Sequence, residues 1–186
     1  MPYRGNTLLH FPYPLTKTLM LVGMPGAGKT SIGSRLARIY GVPFVDGDAE
    51  VEKAGGSSCA DLFARFGEEE FRRGEERVME RLLNGRRCIL SSGGGAFLSE
   101  KTREIAKRRA VTLFLDADKA IIVRNTAGRT HRPLLNTDNP QQVIADLMEK
   151  RRPVYETADI ILKYSTETLG QVLRRVVATV NDYARR

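Results

Sequence analysis

The most informative segment of the chain has the sequence GMPGAGKT and spans Gly23–Thr30. It matches the pattern G-x-x-x-x-G-K-[ST], in which the backbone N–H groups of a glycine-rich loop surround phosphate oxygens. The apolar run Leu15–Val22 before it predicts a buried strand, and Thr30–Tyr40 after it carries apolar residues at helical spacing. The segment therefore lies between a strand and a helix, the context that this pattern requires, which argues against a chance glycine-rich turn.

The chemistry of this loop predicts a role for its polar residues. Lys29 is expected to reach the β- and γ-phosphates of a bound nucleotide, and the Thr30 hydroxyl is expected to ligate Mg²⁺. The helix that follows directs the positive end of its dipole at the same point. The predicted nucleotide-binding residues of this region are Gly26, Ala27, Gly28, Lys29, Thr30 and Ser31, the last of which directly follows the segment.

Strands and helices alternate along the rest of the chain. Further strands are predicted at Val42–Asp46, Cys88–Ser92, Val111–Leu115 and Asp159–Lys163. The helix predicted over Gln141–Arg152 is expected to end at Pro153, because proline lacks a backbone N–H. Such an alternation implies a three-layer α/β domain, with helices covering both faces of a parallel sheet.

Composition and charge limit the classes of protein to be considered. The 186 residues suit one domain, which we place at residues 17–186 after an N-terminal extension over residues 1–16. With 41% hydrophobic and 28% charged residues, the chain is neither disordered as a whole nor a collagen-like or disulfide-stapled protein. A net charge of +8 favours anionic partners, which include nucleotides, phosphorylated metabolites, nucleic acid and acidic lipid.

The cellular compartment is predicted from cysteine content and hydropathy. Cys59 and Cys88 are the only cysteines, as expected for a protein of a reducing compartment. No run approaches the roughly 18 apolar residues of a membrane span, and prolines interrupt the apolar residues of Thr7–Leu15. We therefore expect a cytoplasmic protein that does not bind membranes.

Two carboxylates follow the second predicted strand. Asp46 and Asp48 are two residues apart, so on an extended segment they project to the same face. The carboxyl ends of parallel strands line the ligand crevice of such sheets. One carboxylate could hold a metal ion and the other could accept a proton from a substrate hydroxyl; alternatively, one of them merely caps the helix that starts near Ala49.

The glycine triplet Gly93–Gly95 ends the third predicted strand. Glycines at such a point allow a ligand to approach the backbone closely, although a simple flexible turn has the same composition.

Three arginines occur in distinctive contexts. Arg72 lies three residues before Glu75 on a predicted helix, Arg132 lies in the polar stretch Thr126–Pro140, and Arg151 lies at a helix end. Guanidinium groups bind carboxylate or phosphate in a bidentate manner. With 30 basic residues in the chain, most arginines are surface residues, so position alone does not identify a site.

Taken together, these elements resemble the shikimate kinases in order and spacing. The shared elements are the phosphate loop, Asp46-Gly47-Asp48, Phe71-Arg72-x-x-Glu75, Gly93-Gly94-Gly95, Arg132-Pro133-Leu134-Leu135 and Arg151-x-Pro153-x-Tyr155. The resemblance extends from about Leu19 to Val180. It implies a P-loop kinase fold like that of nucleoside monophosphate kinases, with a five-stranded parallel sheet in the order 2-3-1-4-5. It also implies a substrate-binding segment at about residues 46–76 and a mobile lid at about residues 125–140.

The activity implied by the resemblance is transfer of the γ-phosphoryl group of ATP to the 3-hydroxyl of shikimate, with Mg²⁺, by a monomeric enzyme. The implied catalytic residues are Lys29, Asp48 and Arg132, the last of which folds over the phosphates. The implied shikimate ligands are Asp48 for the hydroxyls, Arg72 and Arg151 for the carboxylate, and Gly94, with Phe63 and Phe71 at apolar positions nearby. Thr30 and Asp46 are the implied metal-site residues.

The sequence departs from this family on the adenine side. Asn125 stands where the family often has an arginine that stacks on adenine, with Arg124 one residue earlier, and Tyr164–Thr168 has no clear counterpart. Three other functions stay open: a related gluconate kinase, a nucleotide-binding regulatory module without catalysis, and a nucleic-acid-binding protein that uses the basic helix Lys101–Arg109.

Overall fold

The computed structural model describes residues 14–127 and 139–185. The predicted lid residue Arg132 and residues 1–13 of the predicted N-terminal extension lie outside the described residues.

Five parallel strands form the central sheet, in the order β2-β3-β1-β4-β5. The strands are β1 (Thr18–Val22), β2 (Phe44–Asp46), β3 (Ile89–Ser91), β4 (Ala110–Ala117) and β5 (Ile160–Tyr164). In the register of the sheet, Leu19 of β1 lies between Ile89 of β3 and Val111 of β4. All five residues of β1 are buried, which requires cover on both faces of the sheet. The predicted α/β fold class and strand order are confirmed.

Seven helices and one short 3-10 turn accompany the sheet in the described residues. They are α1 (Lys29–Tyr40), α2 (Gly47–Gly55), α3 (Cys59–Asn84), α4 (Glu100–Arg109), α5 (Lys119–Thr126), α6 (Pro140–Tyr155), α7 (Leu169–Ala184) and the turn Ala96–Leu98. Several begin at the polar caps that helices prefer: Ser58 caps α3, Ser99 caps α4, and Thr168 forms a capping box with Gln171 on α7.

Two helices differ in detail from the usual pattern. Helix α6 continues through Pro153 to Tyr155, so the predicted end at Pro153 is wrong. A proline in the last turn removes only one hydrogen bond near a terminus, where the helix tolerates the loss. Helix α3 is kinked at Gly67, whose φ of 78° and ψ of 170° are not helical, so Cys59–Phe66 is set at an angle to the rest of the helix.

Because all five strands are parallel, their carboxyl ends meet at one edge of the sheet. The phosphate loop follows β1 at this edge, Asp46 ends β2, Gly93–Gly95 follow β3, and Tyr164 ends β5. The topology thus brings together segments that lie far apart in the chain, as expected for the ligand crevice of an open α/β sheet.

Candidate active site

The phosphate loop has the conformation that its glycines predict. Gly23, Gly26 and Gly28 have φ angles of 139°, 86° and 82°, which residues with side chains rarely adopt. Lys29 opens α1 and is buried; its Nζ donates to the carbonyl oxygens of Gly23 at 2.8 Å and of Met24 at 3.0 Å. The capping residue Gly28 has no side chain, so no side-chain cap occupies this helix N-terminus, which is the end of a helix that binds anions.

Two side chains from distant segments hold the loop by its carbonyl groups. Asn125 at the end of α5 donates its Nδ2 hydrogen to Gly26 O at 2.8 Å, and the buried Tyr164 hydroxyl donates to Ala27 O. The side chain at the position of the family's adenine-stacking arginine is therefore engaged with the loop itself. Sequence reasoning missed both contacts, because neither asparagine nor tyrosine belongs to a recognisable motif there.

Asp46 serves two purposes at once. One carboxylate oxygen accepts the N–H hydrogens of Asp48 (3.1 Å) and Ala49 (3.3 Å), which caps α2, while the other accepts the Thr30 hydroxyl at 3.0 Å. The sequence left open whether Asp46 holds a metal ion or caps the helix; the structure shows the cap and also places this carboxylate beside Thr30 of the phosphate loop. Among residues 14–127 and 139–185, no three acidic, histidine or cysteine side chains cluster as metal ligands. The Thr30–Asp46 pair fits Mg²⁺, which prefers hard oxygen donors and takes most of its other ligands from phosphates and water.

A cavity of about 460 Å³ opens beside the phosphate loop. Both charged and apolar residues line it. The charged residues are Lys29, Asp48, Glu52, Arg72, Glu75 and Arg151, and the apolar ones include Phe63, Phe71, Ile144 and Leu147. The rings of Phe63 and Phe71 meet edge to face, 5.6 Å apart between centroids. Such a cavity suits a small molecule with a polar, anionic side and an apolar ring.

The glycine triplet makes close packing around this cavity possible. A Cβ atom on Gly93 would lie 2.3 Å from Asp48 Oδ1, and one on Gly94 would lie 2.8 Å from Cγ of Pro25 in the phosphate loop. None of the three glycines has a positive φ angle. Glycine is therefore needed here because it has no side chain, so that the Asp48 carboxylate and the phosphate loop can approach the turn.

Two arginines converge on the same turn. Arg72 Nη1 lies 2.7 Å from Glu75 Oε2, and Arg151 Nη1 donates to Gly94 O at 3.4 Å. Glu75 is only 4% exposed, and burial raises the pKa of its carboxyl although Arg72 opposes the shift. The predicted pairing of Arg72 with Glu75 on one helix face is confirmed. Helix α3 brings Arg72 to the cavity, and α6 brings Arg151 to the same cavity.

The structure brings most of the predicted site residues together at one place. Asp48, Arg72, Gly94 and Arg151 line one cavity together with Lys29. Thr30 and Asp46 are hydrogen-bonded to each other beside it.

Comparison with known proteins gives the family. The sequence model of shikimate kinase matches residues 25–181. The chain belongs to the shikimate kinase family. It is 45% identical over 167 residues to the shikimate kinase of Paramagnetospirillum magneticum, a match that covers 90% of this chain and 86% of that protein. It is 44% identical to the shikimate kinase of Cereibacter sphaeroides, over 87% of this chain and 81% of that protein.

Solved structures agree with the family assignment. The structure of a shikimate kinase from Acinetobacter baumannii in complex with shikimate has a TM-score of 0.86 and 30% identity, and the match covers 91% of this chain and 96% of that chain. A gluconokinase from Sinorhizobium meliloti matches with a TM-score of 0.63 at 18% identity, covering 93% of this chain and 96% of that chain, which shows a shared fold only. Among the helices of the described residues, none is both long and apolar enough to cross a bilayer.

Proposed function

We propose that the protein transfers the γ-phosphoryl group of ATP to the 3-hydroxyl of shikimate, giving shikimate 3-phosphate and ADP. This reaction is a step of the chorismate pathway to the aromatic amino acids. The observation that carries the proposal is the convergence of Arg72 and Arg151 beside Asp48, in the cavity that Lys29 of the phosphate loop also lines. One cavity thus offers a carboxylate clamp, a proton acceptor and a phosphate clamp.

Shikimate is a small cyclic acid with hydroxyl groups, and the mixed charged and apolar lining of the cavity matches it. Arg72 and Arg151 hold its carboxylate, because two planar guanidinium groups present several donors to two oxygens. Asp48 and Gly94 bind the hydroxyl end, and Phe63 packs against the ring.

ATP lies with its phosphates in the loop. The N–H groups of residues 26–31 and the Lys29 ammonium bind the β- and γ-phosphates, and Arg132 closes over them from the lid, outside the described residues. Thr30 and Asp46 hold Mg²⁺, directly or through water. When bound, this ion neutralises charge on the phosphates.

The reaction then requires positioning and one proton transfer. Asp48 orients the 3-hydroxyl, whose oxygen attacks the γ-phosphorus while the bond from that phosphorus to the β–γ bridging oxygen breaks. The hydroxyl proton passes to Asp48, and Lys29 and Arg132 stabilise the charge that gathers on ADP and the transferred group. Exclusion of water by the lid limits hydrolysis of ATP.

We also propose that the protein works as a monomer in the cytoplasm and without a nucleic-acid partner. Both cysteines are free thiols in the described structure, which suits a reducing compartment. Two of the basic side chains of helix α4 make contacts within the protein. Lys101 Nζ lies 3.1 Å from Glu80, and Arg103 donates to carbonyl oxygens of the preceding turn. This internal use favours a structural role for the helix over a nucleic-acid surface.

A coupled assay of ADP formation tests the proposal. Purified protein is given Mg-ATP with shikimate, with gluconate or with no acceptor. We expect ADP only with shikimate. ADP formation with gluconate but not with shikimate would indicate the related gluconate kinase. Nucleotide binding without ADP formation on either acceptor would indicate a regulatory module.

A further inference from the structure

We propose that Arg152 and Asp116 form a positioning pair that fixes the last turn of α6 and so directs the neighbouring Arg151 into the cavity. This inference rests on the proposed role of Arg151 as a ligand of the shikimate carboxylate. The two guanidinium nitrogens of Arg152 each lie 2.8 Å from an oxygen of Asp116. A bidentate pair of this kind restricts both the distance and the angle between its partners.

The pair ties α6 to strand β4 of the central sheet. Asp116 lies near the carboxyl end of β4, and its side chain is only 5% exposed, whereas the Arg152 side chain is 36% exposed. A carboxylate so deeply buried is costly without a cationic partner, so the sheet holds Arg152 firmly. Arg152 lines a separate small pocket together with Asp116 and Met148, and it does not line the cavity that Arg151 enters.

The same helical turn is held from a second side. The Tyr155 hydroxyl donates to Gly94 O, the oxygen that Arg151 also contacts, and its ring lies 5.2 Å from that of Phe114. Arg151 and Tyr155 are four residues apart and share a helix face. Arg152 is about 100° further around the helix, so the two anchors prevent both sliding and rotation of the turn.

Pro153 removes one backbone hydrogen bond from this turn, which increases the contribution of side-chain anchors to its position. Its missing N–H leaves the carbonyl oxygen of Glu149 without the helical donor that would normally come from residue 153. The backbone therefore stabilises the last turn of α6 less than an uninterrupted helix would. The ion pair with Asp116 compensates at the residue directly before the proline.

Enzyme kinetics of variants can distinguish a role of Arg152 in positioning Arg151 from a role in the stability of the fold alone. We expect Arg152→Met to raise KM for shikimate roughly tenfold, with kcat and KM for ATP within about twofold of wild type. We expect KM for shikimate in Arg152→Lys to be closer to the wild-type value than in Arg152→Met. In the exchange variant Arg152→Asp with Asp116→Arg, KM should be closer still. Because Arg152→Met leaves a buried carboxylate unpaired, the double variant Arg152→Met with Asp116→Asn keeps the test valid if the single variant fails to fold. In that double variant, the same rise in KM is expected.

A second readout does not depend on shikimate. Phenylglyoxal modifies accessible guanidinium groups, and mass spectrometry measures the rate at Arg151. We expect this rate to increase several-fold in Arg152→Met or in the double variant. It should stay unchanged in Arg175→Met, which removes another arginine–carboxylate pair, with Glu167 beside α7. Unchanged reactivity of Arg151 in a folded variant, together with unchanged KM, would overturn the inference. If the wild-type protein does not phosphorylate shikimate but Arg152 still controls the reactivity of Arg151, the proposed function fails and the positioning pair stands.

Discussion

The Arg72 guanidinium lies directly against the α-carbon of Gly95. A Cβ atom at residue 95 would be 2.2 Å from Arg72 Nη1 and 2.7 Å from Cζ, far inside van der Waals contact. The turn after β3 and the second half of α3 can approach this closely only because residue 95 has no side chain. The position of the proposed carboxylate ligand is therefore set by the shape of the backbone opposite it.

Gly95→Ala is expected to displace Arg72 without unfolding the protein, because the clash falls on the far end of a flexible side chain. KM for shikimate should rise by about tenfold or more, with a smaller change in kcat. The matched control is Gly74→Ala in the same helix as Arg72, where a Cβ has no neighbour within 4 Å. Equal KM values for the two variants would show that Arg72 does not depend on Gly95.

Arg72→Lys keeps the charge but removes the planar fork. We expect KM for shikimate to rise by roughly tenfold or more, because a point charge does not replace bidentate binding of a carboxylate. Arg73→Lys is the control, since Arg73 is exposed and pairs with Glu69 and Glu70 on the outside of α3. An unchanged KM in Arg72→Lys would place the carboxylate site elsewhere.

Asp48→Asn tests the proposed proton acceptor. If Asp48 accepts the hydroxyl proton, kcat falls by roughly 10²-fold or more, since an amide cannot do so. Glu50→Gln, on the same helix but paired with Arg81, is expected to leave kcat unchanged. A rise in KM with unchanged kcat would make Asp48 an orienting residue only.

Glu75 makes stability depend on pH. Burial raises its pKa above the ordinary value of 4.5, although Arg72 opposes the shift. The folded state therefore holds the proton to higher pH than the unfolded state does, so this carboxyl makes the free energy of unfolding fall as pH rises from 4.5 through the raised pKa. Urea denaturation across this range should show a flatter pH dependence for Glu75→Gln than for wild type. An identical slope in both proteins would contradict the assignment.

Cys59 is expected to be an unreactive thiol. Burial, reinforced by the negative charges of Asp48 and Glu52, raises its pKa to about 12, so almost no thiolate exists at pH 8. In a Cys88→Ser background, alkylation by iodoacetamide should be slow for the folded protein and fast in urea. A rate for the folded protein close to that of a free peptide thiol would refute the prediction.

The features of this protein that depend only on neighbouring residues could be predicted from the sequence. A glycine-rich loop between an apolar strand and an amphipathic helix needs only neighbouring residues to take its conformation, so Gly23–Thr30 was predictable. The same holds for the Arg72–Glu75 pair, because three residues along a helix bring two side chains together. The predicted end of α6 at Pro153 was wrong because proline is tolerated where few backbone hydrogen bonds remain to be lost.

The contacts that complete the site were decided by the tertiary structure alone. Asn125 reaches Gly26 across 99 residues, and Tyr164 reaches Ala27 across 137. No short-range pattern identifies these two residues in advance, since the partner of each is a backbone carbonyl far away in the sequence. Only the parallel sheet, by gathering the carboxyl ends of all five strands at one edge, places these side chains within hydrogen-bond distance of the loop.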